Sequence, residues 1–258
     1  MKYKYDDSPD KKGKSKHSHL LDLYDTGEFK KLTGTSSVVN VLHKPLSWWA
    51  ASETVKTLGW IHPKIKKNGK EIGLVPDEER KKIAQPIYNA IKKESLTQYV
   101  ARLDAAYKAH SVKLDDSAEA GTNLHSALEA FCKFKMGLIP PPKEGFNSRI
   151  KPFIDWAELA VKKYLWSEVH TFDESPGMFV GGISDLGVEL NAQTLETIDG
   201  QVEIKEGTLA VVDFKSSKEA YKSHAIQAGG YALQIERNGL FAANGNLIGK
   251  INKPIDVL

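Results

Sequence analysis

Leu209-Ala210-Val211-Val212-Asp213-Phe214-Lys215 is a short apolar run that ends on an Asp-x-Lys. Side chains of a strand alternate with period two, so Asp213 and Lys215 are expected on one face and Phe214 on the other. A carboxylate beside an ammonium at the end of a buried strand can hold a divalent cation and polarise its water, the equipment for hydrolysing a phosphodiester. Taken alone, the tripeptide equally describes a solvated ion pair on a surface strand, an arrangement of little energetic consequence. The surrounding sequence decides between the two.

Working outward, Trp166 to Phe172 and Met178 to Leu190 are strand-like, separated from each other by Glu174 to Gly177 and from Thr208 to Phe214 by a polar connection containing Asp199 and Gly200. Ala220 to Arg237 has a helical pattern, and Asn246 to Ile251 forms a last short strand. On the N-terminal side, Arg149 to Lys163 is helical. Before it, Asp115, Asp116 and Ser117 offer N-cap oxygens with Glu119 completing a capping box, for a helix that runs to about Lys135 and stops at Gly137 and Pro140 to Pro142. The order is helix, three strands, helix, strand, over residues 115–258.

Residues 20–114 look mostly helical. Val38, Val39, Leu42, Leu46 and Trp49 recur at helical spacing across Pro45, giving two short helices that continue to Leu58, and Asp77 to Lys93 and Ser95 to Ala109 are amphipathic. Pro63 to Gly73, with Lys64, Lys66, Lys67 and Lys70, is expected to be a basic loop. Residues 1–19, rich in lysine, are expected to be a flexible basic tail.

Composition narrows the function classes. Cys132 is the one cysteine, so a disulfide framework or an all-cysteine metal site within the chain is excluded, and a reducing, intracellular setting is the natural expectation. No apolar stretch has the length of a membrane span, and the N-terminus lacks the apolar segment of a secretory signal. With a net charge of +3, any nucleic-acid contact must use local basic patches.

Four further features surround the opening stretch. Gly121, His125 and Glu129 lie four apart, one stripe of the helix that follows Asp115, where Gly121 would let the stripe approach another backbone. Gly182-Ile183-Ser184-Asp185 puts a carboxylate inside an apolar strand, costly unless paired or metal-bound. Gln227 and Tyr231 share a face of the next helix, and Gly229 and Gly230 between them suggest close packing or ligand approach. Singly, each has an ordinary structural reading: a hydrogen-bonded interior histidine, a surface glutamate, a core tyrosine.

Together, His125, the Gly-x-x-Asp ending at Asp185, Asp213-x-Lys215 and Gln227-x-x-x-Tyr231 resemble the PD-(D/E)XK nuclease superfamily, in its RecB-like exonuclease branch. The resemblance covers about residues 115–251. It implies an α/β restriction-endonuclease-like core on a mixed sheet, with the helical N-terminal region packed on it. It implies magnesium or manganese as cofactor, with Asp185, Asp213, His125 and the backbone carbonyl of Phe214 as ligands. Lys215 would position and deprotonate the attacking water, Gln227 and Tyr231 would orient the lysine or contact the DNA backbone, Glu129 would act as a partner behind the ligands, and Glu168 is a candidate further ligand. Glu189 shares the parity of Asp185 but lies about 13 Å along the strand, out of reach.

The implied activity is hydrolysis of DNA from an end, as in compact phage or organellar exonucleases of recombination and repair. A lone cysteine excludes the four-cysteine iron–sulfur cluster of some relatives, and no Gly-x-x-x-x-Gly-Lys loop signals a helicase motor. Rival readings are a structure- or sequence-specific endonuclease on the same core and a DNA-binding module without catalysis. The implied partners are DNA with a free end and, beyond it, a second copy of the chain or a recombination protein; a closing element after the last strand is either missing from the chain or supplied by another subunit. Trp48, Trp49 and Trp60 are candidates for stacking bases and Lys64, Lys66, Lys67 and Lys70 for following phosphates, against ordinary core tryptophans and a solvated lysine face.

Overall fold

A computed structural model describes residues 1–9, 16–40, 47–67, 70–175, 179–197, 200–217 and 221–257. The chain is mixed α/β and divides into two units, Met1–His43 with Gly121–Leu258, and Lys44–Ala120.

The first unit opens with strands β1 (Lys2–Asp6), β2 (Ser18–Asp22), β3 (Lys30–Lys31) and β4 (Thr33–Gly34), and helix α1 (Thr35–Asn40). The second contains α2 (Ser47–Lys56), the hairpin β5 (Lys64–Lys67) and β6 (Lys70–Leu74), α3 (Asp77–Ile91) and the first part of α4 (Leu96–Lys135). The chain continues through α5 (Lys151–Ala160), β7 (Val161–Asp173), β8 (Val180–Leu190), the hairpin β9 (Gln193–Thr197) and β10 (Gly200–Ile204), β11 (Leu209–Val212), α6 (Lys222–Asn238), β12 (Leu240–Phe241), β13 (Leu247–Gly249) and β14 (Asp256–Val257).

The main sheet runs β13-β12-β7-β8-β11-β14, with β4 beside β8. Strands β7, β8 and β11 pair antiparallel, whereas β14 and β4 pair parallel to β11 and β8, so the sheet is mixed. Helix α6 is the crossover between β11 and its parallel neighbour β14, since parallel strands cannot be joined by a tight turn. One sheet face packs Leu186, Val188, Leu190, Ala210 and Phe214 against Leu128, Phe131 and Cys132 of α4 and Ala157 of α5. The other packs Trp166, Val169 and Val211 against Ala228, Tyr231, Ala232 and Ile235 of α6. Adjacent Ala210 and Val211 thus serve opposite faces, which is why a continuous apolar run makes a strand here.

Several expectations are corrected. The lysine-rich start is not all tail: β1 pairs with β2 along its length, and Tyr3 is buried on Phe172 and Phe241. Region 20–114 is not uniformly helical, because β2, β3 and β4 precede α1 and belong with the sheet-bearing unit. The two helices expected over 95–109 and from 115 are one: Ser95 and Gln98 form the reciprocal capping box, while Ser117 Oγ donates back to the Lys113 carbonyl at 2.7 Å as an interior helical serine does. No glycine or proline interrupts residues 96–120, so nothing ends the helix at Asp115. The expected basic loop is the β5–β6 hairpin, for which Asn68-Gly69 in the sequence was an available signal. The helix expected to reach Lys163 ends at Ala160, where β7 begins. The expected last strand is β13 on the far edge beside β12, and the strand parallel to β11 comes one segment later.

In the second unit, Glu53 of α2 is a buried carboxylate bonded by Lys56 at 2.6 Å and by Lys113 of α4 at 2.7 Å, which holds it below the usual carboxylate range. Glu94 takes the guanidinium of Arg102 on two nitrogens. No helix among the described residues is long and apolar enough to cross a membrane.

Candidate metal centre

Three strand or strand-end positions and one helix meet on the α4 side of the sheet. His125 of α4, Glu168 of β7 and Asp185 of β8 each bring one ligating atom to within 4.8 Å of the others. His125 Nδ1 lies 3.7 Å from Asp185 Oδ2, and the Phe214 N–H donates to the same oxygen at 2.7 Å. The His125 ring also meets Phe214 edge-on, its centroid 6.0 Å away.

The local backbone explains how the acids converge. Trp166 and Val169, three apart, both face the α6 cluster, and Ser184 and Gly187, three apart on the partner strand, both contact the Trp166 indole. Side-chain alternation is therefore broken on both strands at the level of Glu168 and Asp185. Glu168 has φ of 53°, a left-handed conformation costing about 1–3 kcal/mol for a residue with a side chain. At this level Asp185 faces His125 of α4, with Glu168 beside it. Gly187 is obligatory opposite Trp166, since a Cβ there would lie 2.1 Å from the indole.

Asp213 and Lys215 lie just beyond β11, not on it, so the expected strand parity does not apply to them. They still sit together: Lys215 Nζ is 2.6 Å from Asp213 Oδ2, a charge pair without hydrogen-bond geometry. Asp213 is outside the tight three-atom group and reaches it through its field, which acts on Asp185. Phe214, buried between His125 and Phe153, anchors the connection and supplies the N–H that fixes Asp185.

The electrostatics of the group are those of acids short of counter-charge. Burial, then Asp185 and Glu129, push the Glu168 carboxyl up to about 7, with Lys133 opposing. Burial also raises Asp185, opposed by His125, raised further by Asp213, and eased by the Phe214 N–H and Lys215. A divalent cation would supply the missing positive charge; the two carboxylates with water suit magnesium or manganese, while the imidazole of His125 is a softer donor than magnesium prefers.

Other expected positions fall as follows. Glu129 bonds Lys133 and acts on Glu168 at a distance. Gln227 Nε2 donates to the Tyr231 hydroxyl at 3.0 Å. Tyr231 is buried against Gly182, where a Cβ would come within 2.5 Å of its ring, and burial pushes its hydroxyl up, opposed by the Gln227 hydrogen bond and reinforced by Asp213, Asp185 and Glu168. Gly182 of the Gly-x-x-Asp is thus the seat of Tyr231. Of the paired glycines, Gly230 meets Thr35 at 3.1 Å while Gly229 faces open space. Gly121 does not mark a close approach, since a Cβ there would meet only Ser216 Oγ at 3.5 Å. Glu189 is paired with Lys162 at 3.3 Å. Trp49, Trp60 and Lys64 are in the second unit, while the side chains of Trp48, Lys66, Lys67 and Lys70 lie outside the described residues. Comparisons with protein-family models, with curated proteins and with solved structures found no match to this chain.

Proposed function

We propose that this chain is a magnesium- or manganese-dependent deoxyribonuclease of PD-(D/E)XK, RecB-like type, acting from DNA ends. The observation that carries the reading is the convergence of His125, Glu168 and Asp185 from three separate elements, with the Asp213–Lys215 pair beside them. A surface ion pair has no need of a buried and a half-buried acid beside it and a strained backbone. The succession α4, β7, β8, β11, α6, β14 on a mixed sheet supports the restriction-endonuclease-like core.

His125, Glu168 and Asp185 are the residues that would hold the cation, with Asp213 close enough in charge to strengthen the site. When bound, the metal supplies a water of lowered pKa and neutralises charge on the phosphate. Lys215 is a cation held at the site by Asp213, positioned to accept the water's proton when neutral and to stabilise negative charge on a phosphate oxygen when charged. Tyr231 and Gln227 form a hydrogen-bonded pair on α6, seated by Gly182 on the other face of the sheet, where Tyr231 lies within the field of Asp213, Asp185 and Glu168.

Digestion of end-labelled linear DNA beside covalently closed circles tests the reading. Linear DNA should be degraded only with magnesium or manganese, circles should survive, and Asp213→Ala or Lys215→Ala should abolish cleavage while leaving the circular dichroism spectrum unchanged. Full activity in either variant would refute the site; cleavage of circles would replace the exonuclease by an endonuclease.

A further inference from the structure

In the second unit, the turn after α2 approaches α3 closely. Gly59 has φ of 89°, and a Cβ there would lie 3.2 Å from Ala84 Cα of α3, so both the conformation and the contact require glycine. The approach leaves a cleft of about 500 Å³ beside it. Leu58, Trp60 and Ile61 form one wall, and Asp77, Arg80 and Lys81 of α3 the other.

Arg80 is under-used in its surroundings. Its Nε is buried without a hydrogen-bond partner among the described residues, and Asp77 Oδ1 stands 3.5 Å from Nη1. A guanidinium donor buried without an acceptor is unfavourable, so the Arg80 head has capacity for an added acceptor. Guanidinium selects planar or tetrahedral oxyanions, carboxylate or phosphate. Trp60 is half-buried, held edge-on to His62 with centroids 5.8 Å apart, and lines the cleft opposite. A phosphate alone would leave most of such a cleft empty; the volume suits a ligand that adds an aromatic body to the anion.

The β5–β6 hairpin rises from the same rim. The Val75 N–H donates to the Pro63 carbonyl at 2.8 Å, closing its stem between Trp60 and Asp77, and its sequence carries Lys64, Lys66, Lys67 and Lys70. Four lysines within the sequence of that hairpin give the segment a positive charge, which suits a polyanion better than an isolated small molecule.

We infer that the Trp60–Arg80 cleft binds one nucleotide of a single DNA strand, with its base against the Trp60 indole and its phosphate on Arg80. The inference rests on the proposal that this chain acts on DNA, and it specifies an unpaired strand as what the second unit takes. Lys81, which is paired with Glu78 at 2.7 Å on the exposed side of α3, adds longer-range attraction only.

The test is fluorescence anisotropy of labelled oligothymidylate and of a blunt duplex with the full chain in EDTA, where no cleavage occurs. Trp60→Leu and Arg80→Gln should each weaken single-strand binding about tenfold, as loss of one stacking or phosphate contact does, and leave duplex binding unchanged. Lys81→Gln should alter mainly the salt dependence. Circular dichroism confirms the fold of each variant, and Arg80→Gln serves should Trp60→Leu unfold. Unchanged single-strand affinity in folded Arg80→Gln would overturn the inference. So would competition by thymidine monophosphate at concentrations equal to the oligonucleotide, which would assign the cleft to free nucleotides. Failure of the nuclease reading shows separately, as DNA left intact in magnesium with the anisotropy result unaffected.

Discussion

Replacing Glu168 by glutamine isolates the charge cost built into the candidate metal centre. In the free protein, burial beside Asp185 and Glu129 moves the Glu168 carboxyl from 4.5 to about 7. At roughly 1.4 kcal/mol per pKa unit, that shift corresponds to a ceiling of about 3.5 kcal/mol. Partial solvent access screens the field and brings the expected effect to about 1–2 kcal/mol. For an acid with a raised folded pKa, the folded state binds protons more tightly than the unfolded one. The penalty is therefore absent below 4.5 and complete above about 7. Histidines with lowered folded values work in the opposite sense, so the quantity to read is the difference between variant and parent. Urea unfolding in EDTA at pH 5 and at pH 8 should show Glu168→Gln gaining about 1–2 kcal/mol on the parent as the pH rises. With magnesium at a hundredfold excess over its dissociation constant, the parent should recover about 2.7 kcal/mol and the variant markedly less. Parallel stability curves in EDTA, or equal magnesium stabilisation of both proteins, would refute the account of Glu168 as a buried ligand.

Further outcomes follow from the packing around the site. Burial, with His170 and His17 nearby, lowers His19 from 6.5 to about 4, so its contribution is present above 6.5 and is lost as pH falls toward 4; His19→Asn should flatten the acid limb of a thermal-unfolding series followed by circular dichroism. Gly182→Ala puts a Cβ 2.5 Å from the Tyr231 ring and should cost about 1–3 kcal/mol in chemical denaturation. Gly121→Ala, which meets only Ser216 Oγ at 3.5 Å, should instead stabilise α4 by about 0.5–1 kcal/mol. Destabilisation of similar size in both would contradict the packing described.

The strands β8 and β11 and helix α6 were legible because their patterns are local: apolar runs of strand length closed by polar turns, and a 3.6-residue period. Helix α4 was misread as two because Asp115, Asp116 and Ser117 are good cap residues in isolation, yet no break precedes them. Strands β1 and β2 were hidden for the opposite reason. Lys2 and Lys4 alternate with Tyr3 and Tyr5, but the burial of Tyr3 depends on Phe172 and Phe241, far along the chain. Corrections of this kind concentrate where a segment's state is set by partners distant in sequence.

The sequence by itself singled out candidates: Asp185 as a carboxylate inside an apolar strand, and His125, Asp185, Asp213 and Lys215 together through their resemblance to a nuclease motif set. Only the tertiary structure decided how they meet. The broken alternation at Glu168 and Asp185, with Glu168 at φ of 53°, brings Glu168 into the centre. Asp213, beyond its strand, is drawn to Lys215. Period-two parity describes an ideal strand, and a single left-handed residue is enough to reverse it locally. Beside that reversal Trp166 packs on Gly187 from the other side of the sheet, a contact between strands that neighbouring residues do not encode.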